Sequence, residues 1–446
     1  METDSLLITV GLLLMFHGAV MLALYLILEK GTLFDPVSVS WAGYIVFIGL
    51  GPLVTGILIP QRGTNEASKY AMFLYILAGI MYTIGLYTGK GGYLSRLIPK
   101  PAPFLGAFHV WVMYILCVIL CGICFGLMFL LPFQFAKIFG AFIETSMGTL
   151  ALISILVFIG YKGHFGTKLL MLLTLIVVLM YILKFYFSRR PILAIFITAV
   201  AMFYHLKISW RSPAVRKLFI GIVILGGITV TLYLGATRGY RVHEQYGGPK
   251  GSIFSRENWE NFLGGITINT TVYEFSVQQF PENKGYLHGS GIVPAFVFWL
   301  PRAFWPSKPV PTGGVVSRMW FNVSEHKVSV TPTLPGELYV NFGPLGILIG
   351  MFFVGKLVRA INTYLVSARD NLVAHMAWFA IIPDFGSEWR GDITSMTVQG
   401  FLRVFMFFFL AWLTGKLAHN RQEDISFISE SPEFDYAEGY DLYEEF

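Results

Sequence analysis

Charged residues are scarce in this chain of 446 amino acids. Asp, Glu, Lys and Arg together make up 13% of it, whereas hydrophobic residues make up 55%. Soluble globular proteins average about 25% charged residues. A soluble fold of this length would lack the polar groups to cover its surface, which excludes a water-soluble enzyme and a disordered protein. The mean hydropathy of +0.65 predicts a membrane protein with several spans.

Cysteine is also scarce, which excludes a small secreted fold held together by disulfides. The three cysteines are Cys117, Cys121 and Cys124, in a C-x3-C-x2-C pattern. In a soluble enzyme this spacing would suggest an iron–sulfur cluster. Here the intervening residues are apolar, and charged thiolates are costly in a membrane. We interpret the three cysteines as small buried hydrophobic residues.

Long apolar runs, by contrast, are abundant. A helix needs about 20 apolar residues to cross the roughly 30 Å hydrocarbon layer of a bilayer, and eleven runs approach this length. The first is too long for the apolar region of a cleavable signal peptide. The predicted fold class is an all-α polytopic membrane protein with about eleven transmembrane helices. The runs are Leu6–Leu28, Trp41–Ile59, Tyr70–Tyr87, Phe108–Leu130, Ile138–Ile159, Leu169–Phe187, Ile192–Leu206, Leu218–Leu234, Leu338–Val358, Leu372–Ile382 and Met396–Leu417.

One long segment, residues 236–335, has no clean apolar run and holds nine of the 21 prolines. We interpret it as a large external loop. It separates an N-terminal transmembrane bundle, residues 1–235, from C-terminal transmembrane helices, residues 336–417. Residues 418–446 form an acidic tail, which we predict to be disordered and cytoplasmic. This tail could dock a basic partner such as a regulator of chain length.

Basic residues in the short connections predict the orientation. Lys207, Arg211, Arg216 and Lys217 cluster before the eighth run. The positive-inside rule places that end of the bundle in the cytoplasm, and the large loop therefore lies outside. The sequence has no basic patch interleaved with aromatic residues in a soluble segment, so we expect no nucleic-acid partner.

Four basic groups fall on the predicted outer face. Each of them could be a snorkelling side chain or the partner of a nearby acid. Because arginine donates paired hydrogen bonds that match phosphate, the four groups together suggest a substrate that bears phosphate or diphosphate. The groups are Arg189 with Arg190, Arg238 with Arg241, Arg302 with Lys308, and Arg390.

A carboxylate, Glu337, stands at the entrance of the ninth run. A carboxylate near a helix start is favoured by the helix dipole, so a structural role is one interpretation. The other is a general base that is partly removed from water, with Tyr339 and Asn341 beside it. Trp305 could stack on a sugar, and His326 is an alternative base.

Several short motifs occur together in the second half of the chain. They are SRR at 188–190, TRG at 237–239, PRAFWPSKP at 301–309, GELYVNFGPLG at 336–346 and WRGD at 389–392. In these motifs and their order, residues 180–415 resemble the oligosaccharide repeat unit polymerases, also called O-antigen or Wzy-type polymerases.

The resemblance implies a GT-C glycosyltransferase in the bacterial inner membrane, with its active site facing the periplasm and with no metal or other cofactor. Its donor and acceptor would be oligosaccharides linked to undecaprenyl diphosphate. Glu337 would take the proton of the acceptor hydroxyl, and Arg190, Arg302 and Arg390 would bind the diphosphates. The residues that would assist in substrate binding are Arg189, Arg238, Arg241, Trp305, Lys308, His326, Tyr339 and Asn341.

Three other functions remain open on the sequence. An O-antigen ligase would use the same donor and share the external arginines. A flippase for lipid-linked oligosaccharides would move the substrate across the membrane without changing it chemically. Many transporters contain an inverted repeat, and we find none in this sequence. A non-catalytic membrane scaffold would not need an external loop rich in arginine.

Overall fold

The computed structural model describes most of the chain, and every regular element in that part is helical. The described residues are 5–29, 31–58, 66–89, 92–98, 107–130, 133–160, 165–185, 189–209, 211–227, 229, 256–300, 302, 304–321, 330–368, 371–391 and 393–417. Within these ranges there is no β-strand. The acidic tail lies outside the described residues.

The helices follow one another with short connections over most of the chain. In order they are α1 (Ser5–Leu28), α2 (Pro36–Tyr44), α3 (Leu50–Leu58), α4 (Glu66–Tyr87), α5 (Gly92–Leu97), α6 (Ala107–Leu130), α7 (Phe133–Gly160), α8 (Phe165–Phe185), α9 (Arg189–Phe203), α10 (213–227), α11 (Arg256–Gln279), α12 (Val293–Phe296), α13 (Thr312–Phe321), α14 (Thr333–Ser367), α15 (Leu372–Gly386) and α16 (Ile393–Leu417). A π-helical turn, Ile45–Gly49, joins α2 to α3, and another, Tyr204–Ile208, extends α9.

Seven segments of the described chain are long and apolar enough to cross a membrane. They are Ser5–Leu28, Pro36–Ile57, Glu66–Tyr87, His109–Met128, Phe139–Ile159, Thr333–Ser367 and Met396–Thr414. Two shorter apolar helices, Phe165–Tyr181 and Ala194–Ile208, accompany them. By length and composition the chain is a multi-pass, all-α membrane protein. The finer count of eleven spans stays a prediction, although each predicted run overlaps a described helix.

Two apolar cores hold the bundle together. The first lies among α1 to α4, α11 and the first part of α14, and the second among α6 to α9, α15 and α16. Glycines allow the closest approach in the first core: Gly85 of α4 faces the backbone of Phe352, and Gly355 of α14 faces the backbone of Tyr82. These paired contacts show that α4 and α14 run side by side, with their backbones nearly touching.

The predicted external loop contributes a helix to the bundle. Helix α11 packs against α3, α4 and α14, and the ring of Tyr273 stacks on Tyr75 with centroids 4.2 Å apart. The side of α11 that faces the bundle is polar in sequence, with Thr267 and Ser276 buried. This polarity explains why hydropathy gave no sign of a helix packed among the spans.

Helix α14 is broken near its start. Its 35 residues would extend about 52 Å at 1.5 Å per residue, far more than a bilayer needs. The break is at Gly343, whose φ of 69° and ψ of −159° are not helical, and Pro344 follows it. The piece from 344 to 367 is about 36 Å long and suffices to span the membrane by itself. The buried piece from 333 to 341 is therefore not needed to span the membrane.

The two ends of the bundle differ in charge. At one end Arg359 of α14 pairs with Glu29 at 2.5 Å, and Tyr25 donates a hydrogen bond to Asn362. The basic cluster that follows α9 belongs to this end, because His205 stacks on His375 near the start of α15. The opposite end holds the starts of α1, α14 and α16.

The break in α14 gives a test of the fold. We expect Gly343→Ala to lower the Tm of the purified protein in detergent, because a positive φ with ψ near 180° costs a residue with a Cβ about 1–3 kcal/mol. The new methyl group would also lie 2.8 Å from Cζ of Tyr286. Gly400→Ala, with no atom within 4 Å of the added Cβ, is the control. An unchanged Tm for Gly343→Ala would contradict this account of the break.

Candidate functional site

Glu337 lies just after the first turn of α14, and its residue is only 2% exposed. Its Oε2 accepts a hydrogen bond of 2.7 Å from the backbone N–H of Ile393. Ile393 is the first residue of α16, and the first N–H groups of a helix have no partner within that helix. The carboxylate therefore caps α16 from a different helix, and the positive end of the α16 dipole favours its negative charge.

Asn341 stands one turn after Glu337 and is fully buried. Its Nδ2 donates to the Thr312 hydroxyl at 2.9 Å and to the carbonyl of Glu337 at 2.8 Å. Its Oδ1 accepts from the N–H of Gly291 at 3.1 Å. Both amide hydrogens and the amide oxygen are therefore used. Through them Asn341 links α14 to α13, at Thr312, and to the backbone of Gly291. We had predicted contact with substrate, and the geometry favours a positioning role.

Tyr339 is also buried, on the same short piece of α14. Its hydroxyl donates to the carbonyl of Phe280 at 2.9 Å, and its ring meets that of Tyr286 edge to face with centroids 5.7 Å apart. These contacts tie α14 to the segment that follows α11. Tyr339 therefore orients the piece of helix that carries Glu337.

The turn between α15 and α16 packs into the bundle. Its Glu388 and Trp389 are buried. The Trp389 ring packs against Tyr44 with centroids 4.9 Å apart, and Tyr44 lies against Gly18, near the middle of α1. Irregular backbone at this depth is tolerated only where protein groups or a water-filled cavity satisfy it.

The backbone of this turn is satisfied within the turn, for example by the Gly391 N–H, which donates to the Glu388 carbonyl at 2.9 Å. Ser40 satisfies the buried side chains. Its hydroxyl donates to the carboxylate of Glu388 and accepts from the Tyr82 hydroxyl at 2.6 Å and from Nε1 of Trp389 at 3.2 Å. Sequence reasoning missed both Ser40 and Glu388. One serine in an apolar run carries no signal, but a carboxylate directly beside the WRGD motif was a signal that could have been used.

Arg390 ends the turn and is exposed, in contrast to the two residues before it. The next residue, Gly391, has a φ of 96° and lies against the backbone of Thr333, which itself has a φ of 64°. This contact joins the turn to the start of α14, as the bond from Ile393 to Glu337 does. The structure thus brings together two elements that the sequence had separated by about 50 residues.

Helix α9 runs antiparallel to α15. Thr198 donates to the carbonyl of Phe379 at 3.1 Å, and further along His205 stacks on His375. These two contacts fix which residues of α9 and α15 lie side by side. When the pairing is extended toward the start of α9, the backbone there lies near the level of the turn before α16. The side chains of Arg189 and Arg190 lie outside the described residues.

Arg302 and Lys308 both bind backbone carbonyls of their own loop. Arg302 donates to the carbonyls of Lys308 at 2.6 Å and Pro309 at 3.1 Å. Lys308 donates through Nζ to Val297 at 2.6 Å and Leu300 at 3.0 Å. Burial, and then the neighbouring charge of Arg302, lower the pKa of Lys308. A phosphate could bind Arg302 or Lys308 only by displacing these carbonyls. The main role of the two cations is therefore to hold the conformation of the loop.

The remaining predicted residues give less information. The indole N–H of Trp305 donates to the Ser307 hydroxyl at 3.0 Å, within the same loop. Arg238, Arg241 and His326 lie outside the described residues. In the described part of the chain no group of three or more His, Cys, Asp or Glu could hold a metal ion, and all three cysteines are buried free thiols.

A second polar cluster lies between α7, α8, α9, α15 and α16. It surrounds a cavity of about 50 Å³ whose lining includes Glu144, Thr198 and Arg403. Arg403 forms an ion pair with Asp384. Charged side chains within a membrane bundle need such partners. Of these residues the sequence analysis had not identified Asp384 and Arg403, because they fall in or beside apolar runs.

Comparison with known proteins gives one match. The family described as a domain of unknown function (DUF8712) matches residues 250–367. The matched segment begins before α11 and ends with α14, so it contains Glu337 and the loop of Arg302 and Lys308 but not the turn of Arg390. No curated protein and no solved structure matches the chain.

The cap on α16 is testable by itself. Glu337→Ala removes the acceptor of the Ile393 N–H, and we expect it to destabilise the protein by about 1 kcal/mol, as loss of a helix cap does. In Glu337→Gln the amide oxygen still accepts that bond, so the Tm should stay closer to wild type. Glu66→Ala is the control, because that carboxylate is exposed. Equal Tm values for Glu337→Ala and wild type would contradict the capping role.

Proposed function

We propose that the protein is a Wzy-type polymerase with GT-C architecture. In this proposal it joins undecaprenyl-diphosphate-linked oligosaccharide repeat units into a surface polysaccharide at the outer face of the bacterial inner membrane. One observation supports it above the others. A buried carboxylate, Glu337, and the turn that carries the exposed Arg390 are held together through Ile393.

Such a site has the groups that the reaction needs. The acceptor hydroxyl oxygen forms a bond to the anomeric carbon of the donor while the bond from that carbon to the diphosphate oxygen breaks. Glu337 accepts the hydroxyl proton, and the leaving diphosphate carries away the electron pair. Preorganised guanidinium donors stabilise the charge that develops on the diphosphate, and such stabilisation usually contributes most to catalysis.

The roles are now ranked differently from the sequence prediction. Arg390 is the first candidate for the diphosphate, and Arg190 is the second because the backbone at the start of α9 lies near the same level. Arg302 and Lys308 hold their own loop, and Tyr339 and Asn341 position Glu337. Arg189, Arg238, Arg241 and His326 keep their proposed roles in substrate binding, and Trp305 its role in sugar stacking.

The acidic tail is proposed to dock a chain-length regulator.

The charges at the ends of the bundle agree with the proposed orientation. The end with Lys356, Arg359 and the cluster after α9 would face the cytoplasm. The start of α14 would then face the periplasm, where lipid-linked repeat units are polymerised.

A second candidate is a flippase for the same lipid-linked oligosaccharide. Two breaks favour it, at Gly343 in α14 and at the buried turn between α15 and α16, because transporters bind substrate at interrupted helices. Purified protein in vesicles separates the two functions. A polymerase lengthens a lipid-linked repeat unit, whereas a flippase changes only the leaflet in which it lies.

The charge of Glu337 is the first test. We expect Glu337→Gln, expressed in a strain that lacks the gene, to give no polymer while its level in the membrane stays normal, because the amide cannot accept the proton. Glu66→Gln is the matched control and should restore full-length polymer. The measurement is the lipopolysaccharide ladder on a gel.

The same ladder separates the polymerase from the ligase. Loss of a polymerase leaves one repeat unit on the lipid A core, and loss of a ligase leaves none. Full-length polymer from Glu337→Gln would remove the base assignment, and a core without any repeat unit would favour the ligase.

The paired donors of Arg390 give a second test. Arg390→Lys keeps the positive charge but cannot bind a diphosphate oxygen pair in the same geometry. We expect a loss of polymer at normal protein level, measured by the ladder and by extension of lipid-linked repeat units in vitro. Lys284→Arg, on an exposed turn, is the control and should leave extension unchanged. Wild-type extension by Arg390→Lys would show that no bidentate contact is made there.

A further inference from the structure

The segment from 296 to 309, here called the aromatic loop, exposes large apolar side chains. Phe296 is 70% exposed, Trp299 is 60% exposed and Phe304 is 71% exposed. A single exposed apolar residue is ordinary on a protein surface. Three of them within nine positions form a patch, and such patches mark a surface that contacts another molecule or a membrane.

Two cations satisfy the backbone of this loop from within. Arg302 reaches forward to the carbonyls of residues 306, 308 and 309, and Lys308 reaches back to those of 297, 298 and 300, over distances from 2.6 to 3.5 Å. Carbonyl groups without a partner are costly to remove from water. A loop that already binds its own carbonyls can enter a water-poor environment at a much lower cost.

The base of the loop is attached where two membrane spans begin. The N–H of Gly291 donates to Asn341, and its carbonyl accepts from the Thr394 hydroxyl at 3.4 Å. Asn341 lies two residues before the break in α14, and Thr394 lies two residues before the span Met396–Thr414. Helix α12, whose last residue is Phe296, packs against α16, so the loop starts beside a membrane span.

We propose that the aromatic loop inserts Phe296, Trp299 and Phe304 into the headgroup region of the adjoining lipid leaflet. The partner is the bilayer itself, because the loop starts from a helix that packs against a span and tryptophan is enriched at membrane–water boundaries. The loop thereby fixes the depth of Asn341 and of the buried start of α14. This inference does not depend on the catalytic proposal.

The emission of Trp299 tests the insertion. The full chain and its Trp299→Phe variant are reconstituted into vesicles of phosphatidylethanolamine and phosphatidylglycerol, and the difference between their spectra reports Trp299. We expect lipids brominated near the glycerol end of the acyl chain to quench this emission, and iodide in the water to leave it unquenched. Lys284→Trp in the Trp299→Phe background is the control, because position 284 is exposed, and it should show the reverse pattern.

The two cations give a second measurement. Lys308→Met leaves the carbonyls of residues 297 and 300 without their donor, so we expect Trp299 to move into water and become quenched by iodide. Lys284→Met, which changes a nearby exposed lysine in the same way, should leave the quenching unchanged. If Lys308→Met fails to reach the membrane, Arg302→Gln tests the other half of the loop.

Either of two results would overturn the proposal. The first is quenching of Trp299 in the wild-type chain by iodide and not by brominated lipid. The second is a shift of the Trp299 emission when a soluble oligosaccharide is added, which would assign the patch to carbohydrate.

Discussion

A backbone amide that is buried away from water must find a partner, and the first amide of α16 finds it in the carboxylate of Glu337. This bond crosses from one helix to another and allows α16 to begin inside the protein. The buried side chains of the turn before it also find partners, because Ser40 binds Glu388 and Trp389. Without these partners, the break between α15 and α16 would be too costly within a membrane bundle.

Unusual backbone conformations gather around this bond. Thr333, Gly343 and Gly391 all have positive φ, and they lie at the start of α14, at its break and at the end of the buried turn. Such conformations persist only where the surrounding structure holds them, and they are concentrated at functional sites. The buried network of Tyr339 and Asn341 provides that support, which is why the proposed function is centred on Glu337.

The cations of the predicted outer face divide into two kinds. Arg390 is exposed beside the buried turn, whereas Arg302 and Lys308 turn inward to the carbonyls of their own loop. The positions of positive charges in the sequence do not distinguish these two kinds. Whether an arginine or lysine can bind a substrate depends on the acceptors that its N–H groups already contact. The inward pair instead holds the aromatic loop, whose base is bound to the start of α14 through Asn341.

The sequence by itself determined the all-α membrane class and the positions of the apolar helices. These follow from a local property, namely hydropathy. Only the tertiary structure decided that α11 packs among the spans, that the turn before α16 is buried, and that Ser40 and Glu388 belong together. Those features rest on hydrogen bonds between residues up to about 350 positions apart, and no local pattern in one sequence records which distant polar group satisfies another.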